Sequence, residues 1–255
     1  MNKKLALLIC FLAVLGIKIQ AQDGQYAFGI YLGGNVHNMN IGNEFYYDDD
    51  RPIPINNDAN EVTDYTYLKI NDASVSANFG GVLGGYFEYK FNDYFGVQFD
   101  LLFIRTGYCI KGNVDQKNVT DTTNYNYKAT MKANNLQFGA TAKLHLLDDH
   151  LSVDLGVLPT YCFKLSKDIE RGTEKSSIAY TSKEYNTFGC NAIFGVSGYF
   201  GEVFYVGLHY NLGFTNVLKT KTPYLDEEAQ AVAYKYDNAP SKASSLQLTV
   251  GMTIR

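Results

Sequence analysis

Eight segments of the chain alternate apolar and other residues with a period of two, the spacing at which successive side chains of a β-strand point to opposite faces. Tyr26, Phe28, Ile30 and Leu32 alternate with Ala27, Gly29, Tyr31 and Gly33. Phe79, Leu83, Phe87, Tyr89 and Phe91 alternate with Gly80, Gly84, Tyr86, Glu88 and Lys90, and Phe95, Val97, Phe99, Leu101 and Phe103 with Gly96, Gln98 and Asp100. The fourth segment sets the even positions from Leu136 to Leu146 against Gln137, Gly139, Thr141, Lys143 and His145. The fifth sets Leu151, Val153, Leu155, Val157 and Tyr161 against Ser152, Asp154, Gly156 and Thr160. Segments around Phe188–Phe200, Phe204–Phe214 and Leu246–Ile254 repeat the pattern, with Asn191, Gly195, Ser197, Gly207, His209 and Gln247 among their polar-face residues. This predicts eight strands of about ten residues, each with one continuous apolar face.

The connections set the topology. Asn92-Asp93, Asp148-Asp149 and Gly201-Glu202 make three short turns from residues that tolerate tight backbone angles. The other four connections, roughly 38–75, 109–131, 165–185 and 217–243, are long, polar and rich in Asn, Asp, Lys, Thr and Tyr, and are expected to be surface loops. Short and long links alternate strictly. An all-β, eight-stranded antiparallel up-and-down transmembrane β-barrel follows, with tight turns at one end and long loops at the other.

Alternation by itself leaves the direction of the apolar face open. A secreted lipocalin-like barrel also has eight antiparallel strands, but turns its apolar face inward around a ligand. Its outer face would meet water and should be rich in Lys, Glu and Asp. Here the second face is mostly Gly, Ser, Thr, Asn, Gln and Tyr, which suits a hydrogen-bonded lumen. Phe91, Tyr94, Phe95, Phe200 and Phe204 cluster at segment ends as interfacial girdles do. The lipid-facing orientation is the expectation.

Ahead of the strands, Lys3 and Lys4 precede an apolar run from Leu5 to Ile17, too short to span a bilayer as a helix and ended by Lys18. With the small residue Ala21 following, residues 1–21 read as a secretory signal peptide and residues 22–255 as the barrel domain. Together with the stretch GGVLGGYFEYKFNDYFGVQFDLLF (residues 80–103), these features resemble the small outer-membrane β-barrels of Gram-negative bacteria, and in particular the PorT-like barrels of Bacteroidetes. The resemblance spans the whole mature chain and implies residence in the cell outer membrane and a part in envelope assembly or secretion. Such barrels usually finish on an aromatic residue; this chain ends Met252-Thr253-Ile254-Arg255.

Composition narrows the function classes. In 255 residues there are 21 Tyr, 16 Phe and no Trp, with 46% apolar and 19% charged residues, which excludes a disordered chain, a coiled coil or a collagen-like fibre. The formal net charge is −4 and no basic cluster is present, so nucleic acid is not an expected partner. Cys109, Cys162 and Cys190 follow the signal segment, an odd number on mismatched faces, and read as small buried residues rather than a disulfide framework.

Candidate chemistry is sparse. No phosphate loop, zinc-spaced Cys/His set or nucleophile elbow occurs, so no catalytic, cofactor-binding or metal site is expected. The polar-face charges Glu88, Lys90, Asp100, Lys143 and Asp154, with His145, His209 and Arg255, should enter the lumen. An eight-stranded barrel is just wide enough for side chains to fill it, so these residues should form a salt-bridged network. The expected protein is a non-enzymatic monomer in contact with outer-membrane lipid. Its Tyr-rich loops (Tyr46-Tyr47, Tyr65-Thr66-Tyr67, Tyr234-Lys235-Tyr236) offer contact surfaces to a protein or glycan partner. Acidic runs such as Asp48-Asp49-Asp50 and Asp226-Glu227-Glu228 read as solvated loop rather than a calcium site, and Asp121-Thr122-Thr123 is similar to a short O-glycan acceptor. A narrow passive channel for small solutes is the alternative.

Overall fold

A computed structural model describes residues 25–41, 47–56, 62–117, 122–147, 150–201, 203–226, 231–238 and 240–254. The expected signal segment, Tyr46, Asp121, Glu227, Glu228 and Arg255 lie outside that set. The strands are β1 (Gln25–Ile41), β2 (Tyr47–Asn56), β3 (Val62–Lys90), β4 (Phe95–Lys117), β5 (Thr122–Leu146), β6 (Leu151–Arg171), β7 (Glu174–Ala179), β8 (Phe188–Phe200), β9 (Phe204–Asn216), β10 (Lys219–Asp226), β11 (Ala231–Asn238) and β12 (Ser241–Ile254).

Hydrogen-bonded neighbours follow the order β1-β12-β9-β8-β6-β5-β4-β3, and β3 pairs again with β1. Every pairing is antiparallel, so eight strands close into an up-and-down barrel with no free edge in the ring. Strands β2 and β7 are hairpin arms folded onto the extended ends of β3 and β6, and β10–β11 is a separate hairpin. The turns at one end are tight for local reasons. Asn92 accepts backbone hydrogen bonds from Tyr94 and Phe95 through its side-chain oxygen, both at 2.9 Å, which closes the β3–β4 turn. Gly201 sits at φ +64° in the β8–β9 turn, a conformation that costs glycine nothing.

The apolar face points outward. Leu155 is 65% exposed, Leu83 61% and Leu248 53%, whereas Lys143 and Asp154 are 2% and 1% exposed. The inward-facing lipocalin-like arrangement is therefore overturned: its apolar face would be the buried one. Along β4 the exposed residues Phe95, Phe99, Leu101 and Phe103 mark a belt of nine residues. At about 3.3 Å per residue and a tilt near 40°, that span rises about 20 Å before side chains are added, close to the roughly 25 Å apolar band of such barrels. An arginine at mid-belt should be costly: Leu155→Arg is expected to lower stability in phospholipid vesicles by about 2–4 kcal/mol, and the same change at the belt edge, Leu147→Arg, by under about 1 kcal/mol. Urea titration of the refolded variants measures both, and equal costs at the two depths would contradict the lipid-facing orientation.

Above the belt the structure differs from expectation. Among the described residues the four long connections are largely strand: β1, β3, β4, β5 and β6 continue well past the belt, and hairpins β2, β7 and β10–β11 flank them. This raised head has its own core, which includes Ile70, Tyr108, Ile110, Val114, Tyr127, Ala129, Met131, Leu165 and Ile169 packed with Tyr185 and Leu218. Alternation runs through these segments too, with the apolar residues now facing in. On β4, odd-numbered Phe99, Leu101 and Phe103 face lipid, while even-numbered Tyr108, Ile110 and Val114 are buried. On β6 the odd phase persists but a bulge reverses the face. Asn134 opposes Lys164 and Asn135 opposes Cys162, so Phe163 is an extra residue, and Leu165 and Ile169 turn inward. In lipid the outside must be apolar; in water the inside must be. The inversion marks the boundary between the two solvents.

Candidate functional site

At the tight-turn end of the lumen, inward residues of five strands converge on one ammonium group. Lys143 on β5 is paired across strands with Asp154 on β6, and lies opposite Gly96 on β4. Its Nζ donates to Tyr199 Oη at 2.6 Å and lies 3.7 Å from Asp154 Oδ1 and 3.8 Å from Glu88 Oε2. It also stands over the rings of Tyr199 and Tyr205, 5.2 and 5.5 Å from their centroids. One cation thus ties β5 to β3, β6, β8 and β9.

Each carboxylate around it is further held. Asp154 accepts from Ser152 Oγ at 2.7 Å, from Ser197 Oγ, and contacts His209 Nε2 at 2.8 Å. Glu88 contacts His145 Nε2 at 2.9 Å and accepts from Tyr199 Oη at 3.2 Å. Asp100, one layer higher, accepts from Tyr31 Oη at 3.0 Å and from Gln98 Nε2 at 2.6 Å. Buried charges are tolerated only when compensated in this way. Gly139 faces Asp100: a Cβ there would lie 2.6 Å from its Oδ2, so the glycine makes space for the carboxylate.

Of the sequence-derived lumen residues, Glu88, Lys143, His145, Asp154 and His209 meet in one network, and Asp100 lies next to it, held by Tyr31 and Gln98. Lys90 is buried at the turn end, with its stem beside Gly96. Arg255 lies outside the described residues. Sequence reasoning set Tyr31, Tyr86 and Tyr205 on the lumen face but did not gather them with Tyr199 into one aromatic cluster, whose neighbouring ring centroids lie 5.6–5.9 Å apart, with Tyr199 and Tyr205 at the lysine. Their polar-face parity was the available signal. Sequence reasoning did not single out Val82, Leu102, Ile104, Leu158 and Ile193, apolar residues that also turn inward above the charges.

The network contains a serine, a histidine and an aspartate in contact, but not as a proton relay. Ser197 Oγ and Asp154 Oδ2 both meet the same nitrogen, Nε2 of His209, at 3.4 and 2.8 Å. A relay needs the carboxylate on one ring nitrogen and the nucleophile on the other. Ser197 is also fully buried. Among the described residues no group of His, Cys, Asp and Glu is placed to hold a metal ion.

Free space is distributed unevenly. Beside Asp100, Tyr31 and His209 the lumen leaves a cavity of about 10 Å³, room for about one water. A larger cavity of about 70 Å³ sits between the plug and the head core, with His37, Asn135, Gln137 and Asn211 on its polar side and Met131 and Leu165 on its apolar side. The three cysteines among the described residues are free: Cys109 and Cys162 are buried, and Cys190 is half-buried opposite Pro159.

Comparison with known proteins places the chain in context. A family model described as outer membrane protein beta-barrel domain matches residues 20–219. No curated protein matches the sequence. Among solved structures, the attachment invasion locus protein Ail of Yersinia pestis is similar over 90% of this chain and 99% of its own, at 10% identity and a TM-score of 0.40. The outer membrane protein OprG of Pseudomonas aeruginosa is similar over 90% and 96%, at 13% identity and a TM-score of 0.41. The outer membrane protease OmpT of Escherichia coli is similar over 92% and 97%, at 9% identity and a TM-score of 0.36.

Proposed function

The chain belongs to the outer-membrane β-barrel domain family and resides in the cell outer membrane, and from that premise we propose that it is a non-enzymatic anchor that presents a rigid β-sheet head for partner binding at the cell surface. The observation that carries this reading is the contrast between a closed lumen and a built head. Beside Asp100, Tyr31 and His209 the lumen leaves room for about one water, while more than half the length of β3, β4 and β5 stands above the belt around a separate apolar core. The tight turns face the periplasm and the head faces outward, as the length asymmetry of the links implies. Hairpin β10–β11, which carries Tyr224, Tyr234 and Tyr236, offers aromatic contact area on a paired scaffold. A protein or glycan partner fits that surface. The PorT-like resemblance makes a role in envelope assembly or secretion the concrete form of this reading.

Two measurements test it. In planar bilayers the purified protein should show no stable openings; steady conductance that changes on Asp100→Ala or Lys143→Ala would replace the anchor with a narrow channel. In living cells, crosslinking through the head should trap an envelope partner, and excision of residues 219–238 should abolish the product while the barrel still assembles. A crosslink that survives the excision removes the hairpin from the contact surface.

A further inference from the structure

Just above the lipid belt, on the wall formed by β4, β5 and β6, cations face outward from adjacent strands. Arg105 on β4 opposes Asn134 on β5, and Asn134 opposes Lys164 on β6. Lys132 occupies the next outward position up on β5. Arg105 and Lys164 are exposed, and Lys132 is half-buried against Asp168. Asp168 is the one acidic group in this set; the Lys132 ammonium and the Ser177 hydroxyl hold its carboxyl below the usual range. Three cations against one carboxylate leave an excess of two positive charges. Higher up, Lys128 and Glu170 pair with each other at 3.1 Å and cancel.

The row sits at a chemically defined height. Directly beneath it Phe103 and Phe163 present exposed rings with centroids 5.9 Å apart, the top of the lipid belt on these strands. The bulge at Phe163 is the device that makes the site: it turns Phe163 and Lys164 outward in succession, one into the belt and the next above it.

We propose that Arg105, Lys132 and Lys164 bind a phosphate of the phosphorylated glycolipid in the outer leaflet, whose acyl chains lie over Phe103 and Phe163. The arginine fork suits bidentate phosphate recognition, and the lysines reach the headgroup level with their stems along the apolar surface. A free anion would need only the cations. The rings directly below them favour a ligand with phosphate and acyl chain on one molecule. The inference rests on the head facing the cell exterior.

Native mass spectrometry of the detergent-solubilised barrel, titrated with diphosphorylated lipid A, tests the site. The wild type should take up one lipid per barrel. Each interfacial cation contributes roughly a fivefold factor, so Lys164→Gln should bind about fivefold more weakly and Arg105→Gln/Lys164→Gln about thirtyfold. Lys175→Gln, exposed on β7, should bind as the wild type does. Enzymatically dephosphorylated lipid A should bind the wild type no better than lipid A binds the double variant. Unchanged affinity in the two variants, or equal binding of the dephosphorylated lipid, overturns the site. Displacement of the lipid by inorganic phosphate at equal concentration overturns the glycolipid as its occupant. Cold-SDS mobility verifies that the variants fold, and the single variant decides if the double does not. Orientation is read separately: a Lys235→Cys variant should react with a membrane-impermeant maleimide on intact cells. Failure there removes the outward head without altering the binding result.

Discussion

Replacing Lys143 with methionine should lower the stability of the barrel by about 3–5 kcal/mol, the largest effect expected of any single substitution in the lumen. Methionine fills a similar volume, so the loss comes from charge and not from a cavity. It strands Glu88 and Asp154, both buried, with no ammonium between them, and removing one partner of a buried ionic network costs about that much. It also removes the contact that ties β5 to Tyr199 and Tyr205. The triple change Lys143→Met/Glu88→Gln/Asp154→Asn should recover much of the loss, because the two carboxylates beside the lysine are then neutral as well. Urea unfolding in vesicles, followed by cold-SDS mobility, measures both variants. If the single and triple variants fall equally, the lysine is a space filler and the ionic account of the plug is wrong.

Ile169→Ala should loosen the head and leave the barrel intact. Ile169 is 1% exposed and packs in the core above the belt, where truncation of a buried isoleucine costs about 2–4 kcal/mol. That core is separated from the plug by the apolar layer and the larger cavity. The expected signature is therefore split: limited proteolysis should cut the extended hairpins faster, while the urea midpoint of the barrel stays near that of the wild type. A matching shift in both readouts would mean that head and barrel unfold as one cooperative unit. Truncating Leu246, which faces lipid, should change neither.

The eight belt strands and their tight turns were legible because lipid and lumen impose opposite preferences on adjacent residues. Phe99, Asp100 and Leu101 can hardly be arranged otherwise. The lumen charges were legible by the same parity, since Glu88, Lys143 and Asp154 stand in the polar phase of their strands. The head was not. Its alternation, Tyr108, Ile110 and Val114 against Lys111 and Asn113, is present in the sequence, but Tyr, Thr, Lys and Asn dilute it and its phase is reversed. Read for one apolar face per strand, it looked like polar loop. The extra residue at Phe163 was invisible for a different reason. A bulge is a property of the pairing between β5 and β6, and the odd-numbered phase of β6 runs through it without a break.

The sequence by itself determined that this chain forms alternating strands, where they turn tightly and which residues avoid lipid, because those features follow from side chains within a few residues of one another. Which charges meet was decided only in the closed barrel. Glu88, Lys143, Asp154 and Tyr199 come from four strands spread over more than a hundred residues, and the stagger of the ring alone brings them to one point. The face that each head strand turns inward was decided there too. Alternation fixes that two faces differ, while the solvent on each side and the register of the neighbouring strand fix which face is which.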